Sequence, residues 1–354
     1  MRVGAGPVDV AIVGCGAVAQ HYYRPALAAL VAEGSVSVVA AHDRDPAALR
    51  RFCDGLPGTQ PFDTFEGLLH RRPELVIVAS PPRHHAAQSI DALRMGIDVF
   101  CEKPLATSHA EGVAMVEAAA ASGRRLSVGL VRRQFPAAQA IRRLIGSGAL
   151  GELHAIECFE GGPFRWPVQS ASYFAKDAGN GGVLQDIGTH ALDLLIWWLG
   201  EPTSVGYEDD SMGGVEANCR VDLRFGDVAA SLRLSRDWAR PNRYLISGAD
   251  GWIAWEPNEA DRYEFGFTGS AVGAECVLRE VVPGADGPAF GATPLTFEWG
   301  FVEQLRRAIS DDADFTPVSG AETLATLALI DRCYSSRSAM SMPWMVPVRN
   351  TSDG

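Results

Sequence analysis

The chain has 354 residues, 47% hydrophobic and 21% charged, which is apolar material enough for two packed cores and too much for a disordered chain. A net charge of −12 disfavours nucleic acid or an anionic membrane as a partner, so any phosphate it binds must be held locally. The apolar runs are too short or too interrupted to span a bilayer, and Met1 to Pro7 has no signal-like core; seven cysteines without paired short spacing favour neither a disulfide framework nor a metal site, so a cytoplasmic protein with no metal is expected.

In chain order, the apolar strand Val8 to Val13 runs into Gly14-Cys15-Gly16-Ala17-Val18-Ala19 and then a helical stretch to Leu30. Further buried-type strands are predicted at Val36 to Ala41, Leu75 to Ala79, Asp98 to Cys101 and Leu126 to Gly129, with helices at Ala86 to Met95 and Ala110 to Ala121. This alternation predicts a doubly wound parallel sheet, a dinucleotide-binding Rossmann domain over 1–130. After a helix at Ala137 to Ile145 the pattern becomes period-two, with strands at Leu153 to Phe159, Ala217 to Phe225, Val228 to Leu234, Tyr244 to Ser247 and Trp252 to Trp255. Gly226-Asp227 and Asp250-Gly251 fit tight hairpin loops. The second part, 131–354, is therefore expected to be an α+β domain with a largely antiparallel open sheet. The fold class is α/β.

Three constellations carry chemistry. In the first, Gly14 makes the turn after the strand, Gly16 lets the main chain approach a pyrophosphate, and Ala19 allows the helix to pack closely. Asp43, at the end of the second strand, is placed to accept the adenosine ribose hydroxyls; it favours NAD over NADP, although neighbouring Arg44 could attract a 2′-phosphate. The second is Glu102-Lys103-Pro104 at the end of a strand. Lys103 and Lys176 are the only lysines in a chain whose other cations are arginines, which sets Lys103 apart from ordinary surface solvation. In the third, a glycine loop, Gly179 to Gly182, leads into a helix bearing Asp186 and His190 four residues apart, a spacing expected to put both on one face with the carboxylate orienting the imidazole. Trp166 could wall a sugar face, and Lys176 lies on the loop before the glycines.

Taken together, the glycine turn, Ser80-Pro81-Pro82-Arg83-His84-His85, Glu102-Lys103-Pro104, Arg132-Arg133, the Asp186/His190 helix and a late helix ending at Arg337 resemble the Gfo/Idh/MocA oxidoreductases along nearly the whole chain. The resemblance implies that Lys103, Asp186 and His190 are a catalytic trio that also meets the substrate with Trp166. It implies a cis Lys103–Pro104 peptide, and a cofactor lined by Gly14, Gly16, Ala17, Val18, Asp43, Arg44, Ser80, Pro81, His85, Glu102 and Lys103. Pro82 and Val131 stand where the family commonly has asparagine. The activity implied is hydride transfer between NAD, or NADP, and a secondary alcohol or ketone of a sugar, cyclitol or polyol. His190 would exchange the proton, Asp186 would tune His190, and Lys103 would bond the reacting oxygen. A glycosidase-type member that retains NAD, and a non-catalytic dinucleotide-sensing regulator, share this fold. Homodimers or homotetramers through the open sheet are implied as well.

Overall fold

A computed structural model of the protein describes residues 6–165, 167, 181–284, 287–291 and 294–341. Six strands, β1 (Val8–Val13), β2 (Val36–His42), β3 (Gln60–Phe62), β4 (Leu75–Val78), β5 (Asp98–Cys101) and β6 (Leu126–Val128), form an all-parallel sheet in the order 3-2-1-4-5-6. That is the doubly wound order, with its reversal point between β1 and β4, directly above the glycine turn. The edge strand β3 is three residues long and half exposed, too short for an apolar pattern to announce it. The helices are stopped and started by ordinary chemistry. Asp45 caps the helix Pro46–Asp54 by accepting the Ala47 N–H at 2.8 Å, with Pro46 at the first helical position. Ser108 caps the longer helix His109–Ser122, which ends on Gly123 in the left-handed region at φ +63°.

The remaining strands, β7 (Leu153–Gly161), β8 (Ser204–Asp209), β9 (Asn218–Phe225), β10 (Val228–Ser235), β11 (Arg243–Gly248), β12 (Gly251–Trp255), β13 (Arg262–Phe267), β14 (Gly273–Val277) and the short β17 (Ser338–Ala339), form one nine-stranded sheet, while β15 (Val281–Gly284) and β16 (Gly287–Phe290) pair by themselves. The large sheet is mixed: β10 with β7 and β17 with β8 are parallel, and the other pairs antiparallel. The β9–β10 hairpin turns on Gly226 at φ +60°, as its sequence predicts. At the β11–β12 connection glycine has a different use. Gly251 is not left-handed; a Cβ there would lie 2.9 Å from the Gly266 carbonyl oxygen, so the residue is needed for close strand approach.

Alternating residues of the large sheet, among them Ile156, Cys158, Val221, Leu232, Tyr244, Ile246 and Ile253, are buried in one apolar core with the helix Thr189–Leu199 and with β1 and its following helix. The late helix Phe297–Ala308 returns to the first half, where Phe301 stacks on Tyr22 at 4.6 Å. The final helix, Leu324–Ser335, packs on both His109–Ser122 and Thr189–Leu199. Chain beyond residue 131 thus covers the parallel sheet as well as its own. No helix among the described residues is long and apolar enough to cross a membrane.

Candidate active site

The glycine turn is gripped from both sides. The Gly14 N–H donates to the His42 carbonyl at 2.9 Å and the Ala79 N–H to Val13 at 2.8 Å, which ties the ends of β2 and β4 to the end of β1. Gly14 has φ +91°, and a Cβ there would fall 2.4 Å from the Ala79–Ser80 peptide, so no other residue fits. At Gly16, by contrast, a Cβ would meet nothing within 4 Å: this side of the turn is open, as close approach of a pyrophosphate to main-chain N–H groups requires. Ala17 and Val18 begin the helix there and are partly accessible, whereas Ala19 is fully buried. The residues fit a dinucleotide.

Asp43 reaches back to this turn, accepting the Cys15 N–H at 2.6 Å and the Asp45 N–H at 2.7 Å. Each oxygen keeps a lone pair for a ribose hydroxyl, so the carboxylate is both scaffold and prospective contact. Arg44 is exposed beside it. Across the turn, the Ser80 hydroxyl donates to Gln88 at 2.6 Å and Pro81 is exposed. His85 is not where the resemblance puts it. It is 1% exposed, and its ring nitrogens lie 2.8 Å from the Ser80 and Pro104 carbonyl oxygens, so it ties two crevice loops together from behind and has no free face for a cofactor.

The Lys103–Pro104 peptide is cis, as the resemblance implies. Glu102 is buried; it accepts the Tyr23 hydroxyl at 2.5 Å and the Lys103 N–H at 2.8 Å, and burial pushes its carboxyl above the ordinary range. Lys103 extends from this fixed base across to the second half, where Nζ donates to Asp186 Oδ1 at 2.8 Å and to the Asp186 carbonyl at 3.2 Å. The other Asp186 oxygen lies 3.2 Å from Arg236, which follows β10.

The expected helix face holding Asp186 and His190 is not a regular one. Leu184–Gly188 forms a π-helical turn and Thr189–Leu199 an α-helix, so the spacing of four crosses a junction and loses its usual alignment. The Asp186 carboxylate is spent on Lys103 and Arg236, and it acts on His190 through charge. His190 is partly buried, with Nδ1 enclosed and without a hydrogen-bond partner. Burial holds the imidazole well below its ordinary 6.5; Lys103 and Arg132 push the same way, and Asp186 opposes them.

Side chains that carry no motif fix this geometry. Glu216 accepts the Leu184 N–H at 3.0 Å and the Tyr334 hydroxyl at 2.9 Å, anchoring the start of the π-turn; a Cβ at Gly182 would strike its carboxylate at 2.0 Å, which is why that position is glycine. Arg133 grips Asp193, one turn beyond His190, through two bonds of 2.8 and 2.7 Å. Arg132 pairs in the same two-pronged way with Glu160 on β7, at 2.7 Å for both bonds, and Glu160 also accepts the Tyr244 hydroxyl. The pairing of the Arg132-Arg133 doublet with acids 28 and 60 residues away has no local signature in the sequence, and Arg236 has none at all. Trp166 and Lys176, with Gly179 and Asn180, lie outside the described residues.

Residues 8–130 match an oxidoreductase family with an NAD-binding Rossmann fold, and residues 138–254 match the GFO/IDH/MocA C-terminal domain. Inositol 2-dehydrogenase of Burkholderia cenocepacia is 32% identical over 197 residues, 55% of either chain, so the match spans about half the length of that relative. A dTDP-3,4-didehydro-2,6-dideoxy-α-D-glucose 3-reductase of Actinomadura kijaniata is 30% identical over 255 residues, 70% of this chain and 74% of its own. A solved 3-ketoreductase from Actinomadura kijaniata, in complex with NADP and TDP-benzene, superposes with a TM-score of 0.79 over 95% of this chain and 100% of its own, at 21% identity. At that identity the likeness establishes the fold.

Proposed function

The chain belongs to the Gfo/Idh/MocA oxidoreductase family, and we propose that it moves a hydride between NAD and a secondary alcohol or ketone of a sugar, cyclitol or related polyol. One observation carries the reading: at the C-terminal end of the parallel sheet, Lys103 Nζ stands 2.8 Å from the carboxylate of Asp186, four residues before His190. A bound nicotinamide supplies the hydride acceptor or donor. Lys103 hydrogen-bonds the reacting oxygen, where negative charge gathers as the C–H bond breaks or forms. Asp186 aims Lys103 through their ion pair, and His190 meets the same oxygen. Lys103 and His190 are the two groups able to exchange its proton.

Gly14, Gly16, Ala17, Val18, Asp43, Arg44, Ser80, Pro81, Glu102 and Lys103 line the dinucleotide, and Asp43 sets the preference for NAD over NADP. Dividing the chain at 130/131 separates cofactor from substrate recognition, with Trp166 on the substrate side. The protein works in the cytoplasm as a homodimer or homotetramer. The names of the inositol dehydrogenase and keto-sugar reductase relatives support the substrate class. The test is a titration with NAD and NADP followed by polyols and keto-sugars, read at the reduced-nicotinamide absorbance. Micromolar NAD binding and turnover of at least one polyol or keto-sugar are expected. Failure to bind either dinucleotide would overturn the reading.

A further inference from the structure

Asp186 is held from two sides, by one cation on a flexible stem and another on a fixed frame. Lys103 Nζ meets Oδ1 at 2.8 Å, and Arg236 Nη2 meets Oδ2 at 3.2 Å. Arg236 has the firmer base. It follows β10, and its main-chain N–H donates to the Ala217 carbonyl at 2.9 Å while its own carbonyl accepts the Phe164 N–H at 2.7 Å. Those bonds pin it between the chain leading into β9 and the chain leaving β7. Its side chain is 6% exposed, with the guanidinium 5.5 Å from the centroid of the Phe164 ring. Lys103, by contrast, carries a compact ammonium on a flexible four-carbon stem.

The carboxylate geometry decides what the second cation does. A carboxylate gripped at one oxygen can rotate about its Cβ–Cγ bond, a torsion with broad wells, and offer either oxygen to its partner. Gripped at both oxygens by cations on different elements, its plane is fixed, and with it the place where Nζ sits. Two cations around one anion also leave one unit of positive charge where the reacting oxygen gathers negative charge, whereas a lone lysine–aspartate pair would be neutral. Arginine suits the second place because it stays charged and its planar fork is pre-organised.

We infer that Arg236 is a positioning residue of the proposed reaction: acting through Asp186, it fixes the carboxylate that aims Lys103 at the reacting oxygen. The inference rests on the active-site reading above and deepens it. The competing role is that of a strut, because Nη2 also lies 3.4 Å from the Gly182 carbonyl at the entry to the π-turn. The two roles differ in what reaches Lys103. Losing a strut lowers stability and leaves the lysine as it was, whereas losing a positioning residue sets the lysine loose.

The experiment uses the full chain labelled with 13C,15N-lysine. With two lysines in the chain, two Cε–Nζ correlations are expected, and Lys103 is identified by its loss in Lys103→Arg. Relaxation of the Cε methylene then reports how firmly the ammonium is held, with no substrate or cofactor present. In the wild-type protein the Lys103 order parameter should lie above about 0.6, and in Arg236→Met it should drop below that value, into the range of flexible groups. A wild-type value already below it would overturn the inference outright, whether or not any variant folds. Unchanged Lys103 relaxation in folded Arg236→Met would make the arginine a strut, however far the thermal midpoint falls. Turnover is read on the same samples with the polyol or keto-sugar found by the panel. In Arg236→Met, kcat should fall about 10- to 10²-fold with NAD affinity unchanged. In an Asp186→Asn background the same substitution should lower kcat by less than about twofold, since the group it acts through is gone. Equal factors in the two backgrounds would overturn the inference. Loss of Lys103 order in a protein that turns over none of the panel defeats only the dehydrogenase reading and leaves the aiming of Lys103 standing; turnover with Lys103 equally ordered in both proteins defeats only this inference.

Discussion

Around the glycine turn, polar groups are held by the main chain: strand ends clasp Gly14, and Asp43 accepts two backbone N–H groups. Around His190 the same work falls to buried ion pairs, Arg132 with Glu160 and Arg133 with Asp193, each with both partners under 10% exposed. The difference follows from the two architectures. Parallel strand ends supply directed N–H and C=O groups wherever the chain turns, while the helix bearing His190 packs against the large sheet and, among the described residues, is fixed mainly by side chains. Buried pairs of this kind give little net stability over an apolar packing, but breaking one strands a charge.

The largest expected effect tests that asymmetry. Glu160→Ala leaves the Arg132 guanidinium buried and unpaired and removes the acceptor of the Tyr244 hydroxyl. Unfolding free energy should fall by about 3–5 kcal/mol in urea denaturation. Replacing both partners, Arg132→Met with Glu160→Met, should recover most of the loss. A single variant within about 0.5 kcal/mol of wild type would mean that water compensates the charge and that the wall behind His190 is less dry than the contacts imply.

Lys103→Arg sharpens the comparison at the point where the halves meet. An arginine can still pair with Asp186, so the thermal midpoint should stay where it is. The larger, planar guanidinium misplaces the reacting oxygen and cannot release a proton, so turnover should drop by about 10²-fold or more, equivalent to ~2.7 kcal/mol in the barrier. Unchanged turnover would return Lys103 to the role of a strut between the halves.

How far each half could be read beforehand follows the same division. Strand, Gly14-x-Gly16, helix and Asp43 lie within 36 residues, and backbone conformation dictates their identity, so both the fold and the prospective cofactor contacts are legible in the chain. The short edge strand β3 and the outer strands β13 to β16 were not, since short or exposed strands carry no periodic apolar face. In the second half, Asp186 and His190 stand out by spacing alone. Their partnership does not follow from it, because the π-turn at Leu184–Gly188 breaks the rule that residues four apart share a face. The pairing of Asp186 with Arg236, 50 residues away, and the retreat of His85 behind the loops depend on tertiary packing that no local pattern encodes.

The smallest effect expected is at Asp43, and it separates scaffold from recognition within the main-chain half. Asp43→Ser is too short to reach the Cys15 N–H, so it loosens the turn and removes the ribose acceptor together. Asp43→Asn keeps one oxygen for that N–H while losing the charge that would repel a 2′-phosphate. If Asp43 both braces the turn and selects the cofactor, the asparagine variant should bind NAD within about fivefold of wild type and gain on NADP by roughly tenfold, the worth of one charge-assisted contact. The serine variant should lose affinity for both. Isothermal titration with NAD, NADP and 2′,5′-ADP distinguishes these outcomes without any substrate. Equal loss of both dinucleotides in the asparagine variant would make Asp43 a brace alone and would leave the NAD preference to be explained by Arg44 and the loop after β4.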